Sequence, residues 1–422
     1  MRRLRTSRIV ALVVAGALAG TGTIWGGVSA SASTASSRTN IVMWGSWSGG
    51  QITQLNQELS AFNKSQSKIT VSYQLVQDAE TKLLTATVTG QAPDIVLWDR
   101  NLTAKFASRD VLAPLNSFIK ADNVDLSRFY QAPLNEMKIN GTQYGLPLIT
   151  DVRVLFYNKK LFAAAGLQPP TNWSQLESDA KALTVHNSAG QLTQAGMVID
   201  PGTFTTWIQQ ACGWVLNANG TKTAFNSPAG ETVLSFWNKL MNVDKVYQMG
   251  FGQGSNPFAE GKVAMQYDGP WDVQGYNEVP GLSYGVVQAP VGPTGCKGAI
   301  TGGFGLVIPK ASPHAAAAWQ FIKWITTNTA NQVAMAKITG WVPALQAAAD
   351  TPYFSQNPYF GPIVKAIAYA RTRPTVAGYA DLEQLALTPQ LQNFLAGKES
   401  AKTALSVAAN QGNQILAQGG AS

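Results

Sequence analysis

Indole rings set beside carboxylates and amides suit a hydroxyl-rich ligand, and this chain offers several such groupings. Trp98 closes a short apolar run and is followed at once by Asp99 and Asn101. Asp151 stands between Pro147 and the apolar run 152–157, and Trp271 follows Asp268-Gly269-Pro270. Trp47 lies in the polar loop 45–50, Trp341 in Thr339-Gly340-Trp341-Val342-Pro343, and Arg373 and Tyr379 in a stretch marked by Pro374 and Gly378. Gly302-Gly303 would let backbone approach a ligand closely. Aromatic faces attract the C–H edges of a ring. Ionised carboxylates accept strong hydrogen bonds from hydroxyls. The chemistry on offer is recognition.

Each residue also has a structural reading. Most of the 12 tryptophans must be core. Asp99 and Asn101 could cap a turn, although the C-terminal end of a strand is where open α/β sheets bind ligands. Asp151 is either a ligand acceptor or an acid bonded to hinge backbone, because a buried carboxylate needs a partner. Gly303 also suits a plain turn, Arg373 a solvated surface, and Trp341 either setting. Trp47 has no hydrophobic periodicity around it and is expected at a ligand.

The elements that must hold these groups follow from hydrophobic spacing. The run 41–44 suits a buried parallel strand. Ile52, Leu55, Leu59 and Phe62 recur at helical spacing, and 69–75 alternates as the next strand. A helix over about 79–89 and a strand at 94–98 complete a β-α-β-α-β order, which calls for a parallel sheet. Beyond 152–157 come helices near 173–184, 204–213 and 228–241, with strands at 195–199 and 263–267. Asn172 and Gln175 form the capping box of the first of these helices. The run 284–287 is expected to return the chain to the first lobe, 304–308 to be a further strand, and Ser312-Pro313 to start a helix. Helices near 361–371, 381–395 and 400–417 end the chain. The fold expected is α/β with two lobes, each a mainly parallel sheet flanked by helices. Residues 40–150 plus about 290–340 form the first, and 151–289 plus about 341–422 the second.

Composition narrows the class. At 422 residues, 45% of them hydrophobic, the chain can form two cored lobes. Arg2, Arg3, Arg5 and Arg8 precede the apolar run 9–18 and the Ala30-Ser31-Ala32 site of a signal peptide, cut after Ala32. An uncleaved anchor is the alternative. Residues 33–39 read as a polar tether. Cysteine is absent near the cleavage site, so no lipid attaches there, and Arg2-Arg3 leaves Sec and twin-arginine export both open. The leader carries half of the formal charge of +8, leaving 27 basic residues against 23 acidic ones. Nucleic acid is therefore not an expected partner. Cys212 and Cys296 either pair, as in exported proteins, or stay as thiols.

Enzyme chemistry has little support. Only His186 and His314 exist, so neither a histidine triad nor a multi-histidine metal site is expected. No cofactor motif is complete. Two carboxylates such as Asp99 and Asp151 could serve a glycosidase, which keeps a secreted carbohydrate-active hydrolase as a rival.

The order and spacing of several segments resemble the bacterial extracellular solute-binding proteins of sugar ABC transporters, the family that includes maltose-binding protein. They are Ala92-Pro93-Asp94-Ile95-Val96, Asn140-Gly141-Thr142-Gln143-Tyr144-Gly145-Leu146-Pro147 running into Leu155-Phe156-Tyr157-Asn158-Lys159, and Pro170-Thr171-Asn172-Trp173. Phe258-Ala259-Glu260-Gly261-Lys262, Asp268-Gly269-Pro270-Trp271 and Gly302-Gly303-Phe304-Gly305 follow. The resemblance implies a two-lobe periplasmic-binding-protein-like fold and a sugar or oligosaccharide held between the lobes. It also implies delivery to the permease of an ABC importer, without chemistry or cofactor, by an exported monomer. It places Trp98, Asn101 and Trp271 at sugar-contacting positions, and Asp151, Arg373 and Tyr379 at the cleft. A binding protein of the same fold that takes glycerol phosphate or iron is a second rival. The loop 46–50 lacks the charged pair of maltose-binding protein, so the sugar's identity does not transfer.

Overall fold

A computed structural model describes residues 38–419. The signal peptide and the first part of the expected tether lie outside the described residues. The tether ends earlier than expected, because Thr39 already pairs with Ile69.

Strand β1 (Thr39–Gly45), helix α1 (Gly50–Ser65), β2 (Ile69–Leu75), α2 (Ala79–Thr89) and β3 (Ile95–Asp99) follow the expected β-α-β-α-β order. Leu55, Leu59 and Phe62 of α1 are buried on the sheet. β1 runs parallel to both β2 and β3. Two later strands join antiparallel: β4 (Gly145–Pro147) and, much further on, Phe304–Val307, giving a five-stranded sheet.

The chain then enters β5 (Ile149–Val152), whose four residues are all buried, and β6 (Val154–Asn158). The break between them falls at Arg153. β6 is the centre of the second lobe's sheet, flanked by β7 (Met265–Asp268) and β8 (Tyr284–Val287). Both neighbours run antiparallel to β6, so the mainly parallel second sheet is corrected to an antiparallel one. The segment 195–199 contributes one parallel bridge, Ala195 to Val263. β8 does not return the chain to the first lobe. Its alternation of Tyr284 and Val286 matches the inner face offered by Phe156, and pairing there keeps it local.

Residues 288–300 stay with the second lobe. Val291 bridges Asn172, and Cys296 is joined to Cys212 in a disulfide. Only then does the chain cross, through β9 (Thr301–Gly302) into β10 (Phe304–Val307). β9, β5 and β11 (Val342–Pro343) make a small three-stranded hinge sheet.

Packing completes each lobe. Trp319, Phe321, Ile322 and Ile325 of the helix Ala315–Thr327 cover the first sheet. That helix begins later than Ser312, whose hydroxyl donates to Asp94 (2.6 Å) and accepts from the His314 amide (3.1 Å) in the turn that precedes it. In the second lobe Trp207, Trp237, Phe204 and Phe225 pack with Leu405 and Ala408 of the last helix, Ala401–Ala417. Half of the expected capping box forms: Asn172 accepts from the Gln175 amide at 2.9 Å, but the Gln175 side chain accepts from the Thr171 amide, one residue before the cap. Among the described residues no helix is long and apolar enough to cross a membrane.

Candidate functional site

The hinge sheet gathers the polar groups. Asp151 in β5 faces Gly302 in β9. A side chain at 302 would lie 2.8 Å from the Asp151 carboxylate, so that strand must carry glycine there. Asp151 is 2% exposed, yet its Oδ1 has no hydrogen-bond partner among the described residues. Burial pushes its carboxyl above the ordinary range, and the neighbouring Arg153, Arg100 and Arg373 pull back only partly. The Arg153 guanidinium stands 3.8 Å from Oδ1, too far for a hydrogen bond.

Behind the hinge lies Arg100, fully buried. Its Nε donates to Glu136 at 3.0 Å and one Nη to the Ile149 carbonyl at 2.6 Å. The other Nη donates to the Gly302 carbonyl. Gly303 has φ +112°, and a Cβ there would meet the Ile149 carbonyl at 2.6 Å and Arg100 at 2.8 Å. The glycine pair therefore serves this guanidinium, and gives the hinge its bend.

An aromatic run leads away from Asp151. Arg153 lies 5.3 Å over the half-buried Trp271 ring. Trp271 meets Trp341 at 5.4 Å, Trp341 meets Phe304 at 5.5 Å, and Phe304 meets Trp47 at 5.2 Å. The indole N–H groups of Trp47 and Trp341 are buried without partners. Asp268 fixes the turn that presents Trp271. It accepts from the Gly269 amide (2.8 Å), Tyr276 (2.8 Å) and Gln266 (2.7 Å). Burial and the nearby Asp272 push Asp268 up to about 7.

Arg373 joins the lobes. From the second lobe its Nε donates to Glu136 at 2.6 Å, and its two Nη groups take both oxygens of Asp99. Burial acts to raise the Asp99 carboxyl, but Arg373 outweighs it, with help from Arg100 and the Asn101 amide, and holds it low. A second cross-lobe pair, Lys105 with Asp381, closes at 2.7 Å. Beside Arg153 and Arg373 a recess of about 230 Å³ opens, walled by Thr205, Glu383, Gln384 and Thr388.

The structure thus brings Asp99, Asp151, Trp271, Gly303, Trp341 and Arg373 together. Asn101 stands on the turn after Asp99. Trp47 ends the aromatic run but, against expectation, is 2% exposed and packs into the first lobe's core on Phe304. Two residues are elsewhere. Trp98 is 3% exposed and packs on Phe106 with Val96 and Met137. Strand alternation sends it to the sheet face opposite Leu97, where a second small core receives it. Tyr379 is fully buried in the second lobe's core, and only its hydroxyl reaches the site, donating to Glu383 at 3.1 Å. The sequence reading missed Arg100, Glu136, Arg153 and Glu383. Arg153 had a signal: it is a lone charge interrupting an apolar run of strand character.

Comparisons with known proteins agree with this architecture. A family model described as bacterial extracellular solute-binding protein matches residues 48–332. A putative binding protein of Brucella abortus is 25% identical over 375 residues, covering 84% of this chain and 88% of its own length. A maltodextrin-binding protein of Bacillus subtilis is 26% identical over 347 residues, covering 76% and 77%. Among solved structures, the cyclic alpha-maltosyl-1,6-maltose binding protein of Arthrobacter globiformis superposes with TM-score 0.78 at 26% identity. It covers 90% of this chain and all of that one.

Proposed function

The chain belongs to the bacterial extracellular solute-binding proteins, and we propose that it is the exported receptor of an ABC-type sugar importer. The ligand is a sugar or oligosaccharide held between the lobes and released to separate permease subunits. One observation carries this reading: an indole run through Trp341 and Trp271 leads, by way of Arg153, to a buried carboxylate with an unpartnered oxygen. A pyranose needs both. Its C–H face stacks on Trp271, and a hydroxyl donates to Asp151. Two lobes linked by hinge strands can close on such a guest, and the ligand adds its contacts to the closed form only. Asp99, one of the two carboxylates that the hydrolase reading would pair, is instead held by Arg373 through both of its oxygens.

Thermal shift and intrinsic fluorescence against mono- to oligosaccharides test the reading. A binding sugar raises the melting temperature and changes tryptophan emission. Trp271→Ala then weakens binding by about 1–3 kcal/mol, the scale of a buried aromatic contact. If no sugar in the panel shifts either signal, the receptor reading fails.

A further inference from the structure

Resting on that reading, we infer that Arg153 and Glu383 frame a subsite for one neutral sugar ring in the recess walled by Thr205 and Thr388. Three guanidiniums surround the hinge, and two are spoken for. Arg100 is held by Glu136 and the carbonyls of Ile149, Phe304 and Gly302. Arg373 is held by Asp99 and Glu136. Arg153 differs. Its direct contacts among the described residues are the Trp271 face and the distant Asp151. A planar fork of five donors therefore stands at the recess with no hydrogen bond.

Opposite it stands Glu383, on the π-turn Leu382–Leu387. The Tyr379 hydroxyl, planted in the core, donates to Glu383 Oε1 and fixes its rotamer. Such single π-turns frequently occur at functional sites. Thr205, Gln384 and Thr388 add polar groups, and Leu387 adds an apolar wall.

Charge selects the ligand class. Arg153 and Arg373 bring two positive charges to the recess, but Asp99 and Glu136 take up that of Arg373 and Glu383 balances that of Arg153. A phosphate or uronate would find no unbalanced positive charge there. A vicinal diol fits: one hydroxyl donates to Glu383 while its neighbour accepts from Arg153. Size sets the length. The recess of about 230 Å³ is below the roughly 300–1,000 Å³ of sites for drug-sized ligands. The ligand is therefore a neutral mono- or disaccharide.

Calorimetry on the mature protein tests this with glucose, maltose, mannobiose, maltohexaose, a digalacturonate and glycerol 3-phosphate. The neutral short sugar that binds should exceed maltohexaose and both anions at least tenfold in affinity. Arg153→Ala and Glu383→Gln should each weaken it at least tenfold, with ligand-free melting unchanged. Should Arg153→Ala not fold, Arg153→Lys serves, because it keeps the charge without the planar fork and should also weaken binding. Preference for an anion or for maltohexaose overturns the subsite. So does affinity within threefold of wild type in the folded variants, and in either case the receptor reading stands. Binding of no sugar, whatever the anions do, removes the receptor reading itself.

Discussion

Asp151→Asn separates a ligand acceptor from a structural hinge acid, because the two roles give opposite signs in stability. In the ligand-free protein the carboxylate is buried and Oδ1 is unpartnered. Arg153, at 3.8 Å, supplies charge but no hydrogen bond. A buried group in that state costs roughly 1–3 kcal/mol. An isosteric amide removes the charge and keeps the shape, so the ligand-free variant should be more stable by about 1 kcal/mol in urea unfolding. Binding should move the other way. Losing an ionised acceptor costs about 1.5–3 kcal/mol, or roughly 10- to 150-fold in affinity. The pH dependence adds a check. Because the folded carboxyl holds its proton above the ordinary range, folded protein binds more protons than unfolded chain above about pH 4. Its contribution to stability is full below that pH and falls as pH rises toward the folded value. The amide of the variant cannot titrate, so its stability advantage should widen with pH. Destabilisation by more than about 1 kcal/mol, unchanged sugar affinity, or an advantage that narrows with pH would refute this reasoning.

Three other perturbations test the frame around that acid. Arg373→Ala leaves Glu136 buried with one partner fewer and should destabilise the protein by roughly 3 kcal/mol in denaturant unfolding. Gly303→Ala forces a side chain at φ +112° into the Ile149 carbonyl and Arg100. It should lose at least about 1–3 kcal/mol, read as a lower urea midpoint. Reducing Cys212–Cys296 opens a loop spanning 84 positions, which on chain entropy alone is worth about 4.5 kcal/mol. Melting with and without reductant should show a drop of several degrees.

Much of the frame was legible, for identifiable reasons. Period-two and period-3.6 spacing carried β1 through β3 and α1, because each of those segments has one buried face. β8 was misplaced because a run such as Tyr284–Val287 fits any sheet, and nothing local says which neighbour it takes. The site divides along similar lines. Trp271 and Asp151 were readable because turn residues detach them from any periodic core. Trp98 looked the same from its place at a strand end, but its partner face is built by Phe106 and Met137, distant contributors. Arg100 and Glu136 were hidden entirely: a buried cation is recognisable only once its carbonyl acceptors at Ile149 and Gly302 converge, 49 and 202 positions away.

That buried cation explains why Asp151 is left free. Arg100 lies behind the hinge, close enough to influence Asp151, but its donors are committed to Ile149, Gly302 and Glu136. The glycines at 302 and 303 make this possible, since side chains there would fill the space between Asp151 and the guanidinium. Closure is governed from the other side. Opening the lobes must draw Arg373 away from Glu136, whose other hydrogen-bonded cation among the described residues is Arg100. Glu136 then keeps half of its pairing, while Asp99, with its side chain 41% exposed, recovers water. The cross-lobe pairs therefore hold the closed form loosely, because a pair of this kind repays little beyond its own desolvation. On the proposed reading, a guest that satisfies Asp151 and stacks on Trp271 would make the larger difference between the two forms, and only such a difference can shift the balance.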